Sequence, residues 1–112
     1  MIENGKITST TLGYGSGCLQ FWVTIEGEQW GQSFGGWTLD SPPSEHGGDR
    51  EPSEACGRAI AGLLNVFEIQ RWEDLTGQFC RVERNSLMAP IDAIGHITKN
   101  RWFRTSDYVE GE

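Results

Sequence analysis

The sequence lacks long apolar runs, paired cysteines and a surplus of basic residues. No stretch of its 112 residues approaches the roughly 18 consecutive apolar residues of a membrane-spanning helix, and the N-terminus has no signal-peptide core. Its three cysteines are odd in number and have no CxxC spacing, which argues against a disulfide scaffold or structural zinc. A formal charge of −7 disfavours binding to nucleic acid polymers or anionic membranes. These absences predict a single reduced, cytoplasmic domain over residues 1–112.

Recognisable catalytic patterns are also missing. The sequence has no GxSxG, Walker, HExxH or helix-opening GxGxxG motif. Cys80 and His96 are the one pair that adjacent strands would bring together as nucleophile and base. Cysteines in strands more often belong to the core, however. We therefore expect a protein that is not an enzyme, with no catalytic residues, cofactor or metal.

Hydrophobic periodicity predicts the fold. Residues 18–26 alternate apolar and polar side chains, as in a half-buried antiparallel strand, although Trp22 falls on the polar side. Residues 2–10, 29–39, 78–84 and 91–98 are predicted as further strands. A helix begins at Pro52 or Ser53, and residues 71–77 form a helical turn closed by Gly77. The order β-β-β-α-β-β predicts an α+β fold in which an antiparallel sheet of about five strands packs on one main helix. Residues 40–50 are predicted to be a mobile loop, and residues 105–112 a polar tail.

The negative charge is unevenly distributed along the chain. Residues 1–77 carry −7 and residues 105–112 carry −3, whereas residues 78–104 carry +3. Arg81 and Arg84 are three apart in a strand and should point to opposite faces. Arg101 and Arg104 flank Trp102, which combines forked donors for phosphate with a ring for stacking. A small basic, aromatic patch on an acidic body favours a discrete anionic ligand.

The Gly35–Gly36 bend completes the predicted site. Its N–H groups could face ligand oxygens, and the rings of Phe34 and Trp37 bracket it. The predicted ligand-binding residues are Phe34, Gly35, Gly36, Trp37, Arg81, His96, Arg101, Trp102 and Arg104. The competing interpretation is that the aromatic residues are core and the arginines are a solvated rim.

Five segments resemble a family of small phage- and prophage-encoded proteins. They are KITSTTLG at 6–13, QSFGGWTLD at 32–40, WEDLTG at 72–77, CRV at 80–82 and AIGHITKNRWF at 93–103. The family that the chain resembles is that of the anti-Thoeris sponge proteins. The resemblance implies a protein of the host bacterial cytoplasm that sequesters a cyclic ADP-ribose-type immune signal in homo-oligomers, without cleaving it.

Two other function classes remain open. The acidic residues of the first 77 positions and the tail would suit an inhibitor that binds a host defence complex, such as an anti-CRISPR that mimics nucleic acid. An aromatic side chain on a polar face, Trp22, would suit an accessory phage structural protein that assembles with itself. The expected partners are therefore a small cyclic nucleotide or ADP-ribose-like ligand and further copies of the chain.

Overall fold

The computed structural model describes residues 1–15, 17–41, 51–86 and 88–106. These residues form eight strands, one α-helix and one 3-10 helix. The strands are β1 (Ile2–Gly15), β2 (Cys18–Gly27), β3 (Trp30–Gly35), β4 (Asp40–Ser41), β5 (Glu51–Pro52), β6 (Phe79–Glu83), β7 (Ala93–His96) and β8 (Trp102–Arg104). The helices are α1 (Glu54–Phe67) and the 3-10 helix Trp72–Leu75.

Six strands form one antiparallel sheet in the order β3-β2-β1-β6-β7-β8, and β4 pairs with β5 separately. The α+β prediction is confirmed, and the expected number of strands in the main sheet was one short. The additional strand is β8, whose three residues are too few to show a period-2 pattern.

The long strand β1 joins the two halves of the sheet. Residues 2–6 pair with β6, while residues 6–15 pair with β2, and the register shifts between Ile7 and Ser9. A bulge of this kind bends a strand and increases its twist. The two edge strands, β3 and β8, approach each other, since the rings of Phe34 and Phe103 lie 5.8 Å apart.

Alternation along β2 places its apolar side chains inside. Phe21, Val23 and Ile25 are fully buried, whereas Trp22 is 39% exposed on the opposite face. The prediction for this strand is confirmed, including the unusual position of Trp22. The buried face of the curved sheet forms the core with residues of α1 and the 3-10 helix.

Helix α1 begins directly after Ser53, as predicted. The Ser53 hydroxyl donates to the carbonyl of Leu39, 3.0 Å away, so it ties the helix start to the end of the β3–β4 connection. The helix buries Ala59, Leu63, Val66 and Phe67, and it packs against β7, β8 and the 3-10 helix. It ends at Glu68, which has a left-handed backbone with φ of 57°.

The 3-10 helix ends before Gly77, whose φ of 98° closes the predicted turn. The predicted loop at 40–50 and tail at 105–112 lie largely outside the described residues: of the loop only Asp40 and Ser41 are described, in β4, and of the tail only Thr105 and Ser106. None of the helices within the described ranges combines the length and apolar character that crossing a bilayer demands.

Arg81 and Arg84 point to opposite sides of the sheet, as their spacing predicts. The Arg84 side chain is fully buried, and its Nε donates to a carboxylate oxygen of Glu3 at 2.6 Å. Its guanidinium also lies 4.5 Å from the ring of Trp30. Arg84 therefore belongs to the interior, and only Arg81 of this pair is available to an outer surface.

Candidate functional site

The outer face of β6, β7 and β8 carries a platform formed by Arg81, Gly95, Trp102 and Arg104, which we call the arginine–tryptophan platform. Antiparallel register aligns Arg81 with Gly95 and Gly95 with Trp102. The ring of Trp102 lies against Gly95, since a Cβ on that glycine would be 2.6 Å from Cε3 of the ring. The indole of Trp102 thus packs directly on the backbone of β7.

Two guanidinium groups flank this indole. Their central carbons lie 4.9 Å (Arg81) and 5.6 Å (Arg104) from the centre of the Trp102 ring, which is within the range of cation–π attraction. The prediction that arginines and a tryptophan assemble in one place is met by Arg81, Trp102 and Arg104. Together they present positive charge beside a half-buried aromatic surface.

Hydrogen bonds hold both arginines in place. Arg81 donates from Nε to the carbonyl of His96 at 2.8 Å and from Nη2 to the carbonyl of Lys99 at 2.7 Å. Arg104 forms an ion pair with Glu83, its neighbour on the same face. Because a guanidinium has five N–H donors, each arginine keeps donors for an anionic ligand after these bonds are made.

His96, the last residue of β7, and Arg101 flank the turn between β7 and β8. Nδ1 of His96 accepts hydrogen bonds from the backbone N–H groups of Thr98 and Lys99, at 3.1 and 3.0 Å. This ring nitrogen therefore organises the turn. Since Arg81 donates to two carbonyls of the same turn, the turn and the platform adjoin one another.

Arg101 is engaged by a carboxylate of its own chain. Glu68 accepts hydrogen bonds from Nζ of Lys99 at 2.7 and 2.8 Å and from Nη1 of Arg101 at 2.7 Å. The hydrogen bond from Lys99, followed by its charge and by Arg101, holds the pKa of Glu68 below its usual value. An anionic ligand at Arg101 would compete with Glu68, and one at Arg104 would compete with Glu83, whereas Arg81 is bound to backbone carbonyls.

Residues 34–37 lie elsewhere, between the edge strands. Phe34 is almost fully buried, and Trp37 packs edge-on against Phe21 and Phe34 and stacks on Phe103 at 6.0 Å. The core interpretation therefore holds for Phe34. The structure does not place these residues on the arginine–tryptophan platform.

The Gly35–Gly36 bend has a packing role. Both glycines have positive φ, at 125° and 86°, and a Cβ on Gly35 would lie 2.4 Å from the carbonyl oxygen of Phe21. The N–H of Gly36 donates to that same oxygen at 2.7 Å. The expectation that Gly36 offers its N–H to a ligand is therefore wrong, because this donor already closes the bend onto β2.

A cleft of about 340 Å³ lies beside the bend. Its lining comes from Trp22, residues 33–35, Trp37, residues 90–92 and Thr105. Sequence reasoning did not assign Asp92 or Thr105 to a site, since neither belongs to a motif. The exposed position of Trp22 on a polar face was the available signal for this cleft.

Cys80 and His96 do align on adjacent strands. Burial raises the pKa of the Cys80 thiol to about 12, so the thiol stays protonated at neutral pH. Nδ1 of His96 is occupied by backbone donors of the turn. A buried, protonated thiol is a poor nucleophile.

Comparison of the chain with protein families, curated proteins and solved structures yields no match. The chemistry of the platform, the adjoining turn and the cleft therefore carries the functional proposal.

Proposed function

We propose that this protein is a phage-encoded anti-defence protein that binds a small cyclic nucleotide of the cyclic ADP-ribose type and sequesters it without cleavage in the host cytoplasm. The observation that carries the proposal is the flanking of the Trp102 ring by Arg81 and Arg104, at 4.9 and 5.6 Å. Guanidinium groups bind phosphate through paired N–H donors. The indole beside them supplies a surface for an apolar or aromatic part of the same ligand.

Sequestration without cleavage is expected from the kinds of side chain that form the platform. The platform offers hydrogen-bond donors and a ring, while Glu83 is already paired with Arg104. Binding by such groups stabilises the ligand's charge and needs no bond to break. We therefore expect a stoichiometric, reversible complex from which heating releases the ligand intact; recovery of a cleaved product would refute sequestration.

The platform also lies next to exposed apolar side chains. Ile2 and Phe79 are 55% and 59% exposed, and alternation along β1 and β6 places them on the same face as Arg81. A second copy packed there would cover these side chains and approach the ligand, in keeping with the proposed homo-oligomer. Native mass spectrometry tests this association: a Phe79→Ser variant should shift the population towards monomer, and a wild-type protein that is purely monomeric would contradict it.

Ligand binding is tested by thermal shift with cyclic ADP-ribose isomers. A ligand that binds only the folded state raises the free energy of unfolding by about 2.7 kcal/mol at 100 times its dissociation constant. Arg81→Gln and Arg104→Gln should each reduce the shift. Arg71→Gln is the matched control, because Arg71 is an exposed arginine paired with Asp74 on the 3-10 helix. Equal shifts in all three variants would place the ligand away from the platform.

A further inference from the structure

The cleft between the two edge strands exists because the sheet bends without closing. In the described sheet, β3 and β8 are the two ends of the strand order. Across the gap, the side-chain amide of Gln32 donates to the carbonyl of Ala89 at 3.0 Å. The remaining space is the cleft of about 340 Å³, a size within the range of small-molecule sites.

Two tryptophans form rigid walls of this cleft. Trp22 packs against the backbone of the bend, since a Cβ on Gly36 would lie 2.4 Å from Cζ2 of its ring. Trp37 is held by three rings of the core, those of Phe21, Phe34 and Phe103. Aromatic rings fixed in this way are suited to stacking a planar group, because little conformational entropy is lost on binding.

The polar groups of the cleft differ from those of the platform. Asp92 is exposed, and its carboxylate forms no ion pair with any residue of the described ranges. Its backbone is fixed, because its N–H donates to Glu83 at 2.8 Å and its carbonyl accepts from Thr105 at 3.0 Å. A carboxylate accepts hydrogen bonds from N–H donors and repels phosphate. The cleft therefore favours a planar group that carries N–H donors.

We infer that the cleft binds an amino-bearing purine base, stacked on Trp22 and Trp37, with Asp92 accepting a hydrogen bond from the exocyclic amino group. This inference rests on the proposed function and adds to it the subsite for the base. Thr105 lines the cleft and directly follows Arg104 of the platform. A nucleotide can thus place its base in the cleft and its phosphates on Arg104, around the edge formed by β8.

The test uses AMP, purine riboside 5′-monophosphate, which lacks the amino group, and ribose 5-phosphate as probes in ligand-observed NMR titrations of the full chain. We expect AMP to bind about tenfold more tightly than purine riboside 5′-monophosphate, since a hydrogen bond to a charged acceptor contributes about 1.5–3 kcal/mol. Asp92→Asn should reduce that preference to about threefold, because the neutral amide oxygen accepts a weaker hydrogen bond than the carboxylate does. Trp22→Leu should weaken both purine ligands by about tenfold and leave ribose 5-phosphate unaffected.

Asp74→Asn is the matched control, because Asp74 is a partly exposed carboxylate of the 3-10 helix; it should keep the full preference for AMP. An unchanged preference in Asp92→Asn would overturn the inference. If cyclic ADP-ribose isomers bind through Arg81 and Arg104 while AMP behaves identically in wild type and Asp92→Asn, the proposed function stands and the inference fails. If no nucleotide binds at all, both fail.

Discussion

Replacing Gly95 with alanine should lift the Trp102 ring off the sheet and destabilise the protein. The new Cβ would lie 2.6 Å from Cε3 and 2.7 Å from Cδ2 of the ring, about 1 Å closer than the roughly 3.5–4.0 Å of a favourable carbon contact. The ring must therefore tilt away from β7. As it does so, its distances to the Arg81 and Arg104 guanidinium groups change as well.

The expected change in the free energy of unfolding follows from two opposing effects. An extra methyl group in a closely packed contact costs about 1–3 kcal/mol. Alanine in place of glycine recovers about 0.4–1 kcal/mol, because it restricts the unfolded chain. Trp102 is only half-buried and has room to tilt, so we expect a net loss near the lower end, about 1 kcal/mol. For a chain of 112 residues, that loss corresponds to a fall in Tm of about 4 °C.

The assay is a double-mutant cycle followed by urea unfolding with far-UV circular dichroism. A Trp102→Ala background removes the three atoms that the new Cβ would approach most closely, so Gly95→Ala should become neutral or stabilising by about 0.4–1 kcal/mol. The expected coupling between the two positions is therefore about 1–2 kcal/mol. Equal destabilisation in both backgrounds would show that Gly95 is required for a reason other than the seating of Trp102.

Three further predictions concern the core, an ion cluster and a thiol. Phe103→Ala should lower the free energy of unfolding by about 3–5 kcal/mol, because this ring is 1% exposed and contacts three other rings. In the same urea assay, Phe103→Leu should be less destabilising. Equal stabilities of the Ala and Leu variants would contradict the packing argument. Glu68→Gln should flatten the pH dependence of Tm. Because the pKa of Glu68 is lowered in the folded protein, its stabilisation is present above the unfolded pKa of about 4.3 and is lost as the pH falls through the lower folded value. A wild-type curve that parallels that of the variant in acid would exclude this effect. Burial raises the pKa of Cys80 to about 12, so this thiol should resist iodoacetamide at pH 8 in the folded protein and react in urea. Mass spectrometry measures the labelling. Rapid labelling of Cys80 in the folded protein would show that its strand opens readily.

Parts of the candidate site were accessible from residue spacing. The opposite orientations of Arg81 and Arg84 follow from the period of two in a strand. The proximity of Arg104 to Trp102 follows likewise, since residues two apart share a face. The engagement of Arg101 by Glu68 has no comparable signal, because it depends on where a left-handed residue at the end of α1 meets the turn between β7 and β8.

Residue types and their spacing are sufficient to predict the class of fold, the alternation that buries Phe21, Val23 and Ile25, and the concentration of positive charge in residues 78–104. These properties are local, because they depend on side-chain type and on the repeat of one element. Tertiary packing, in contrast, sets the ring of Trp102 on Gly95 and pairs the N–H of Gly36 with the carbonyl of Phe21. It likewise separated the cleft beside Asp92 from the platform. Such contacts join residues that are distant in sequence, and they depend on strand register and on the bend in β1, neither of which a local pattern specifies.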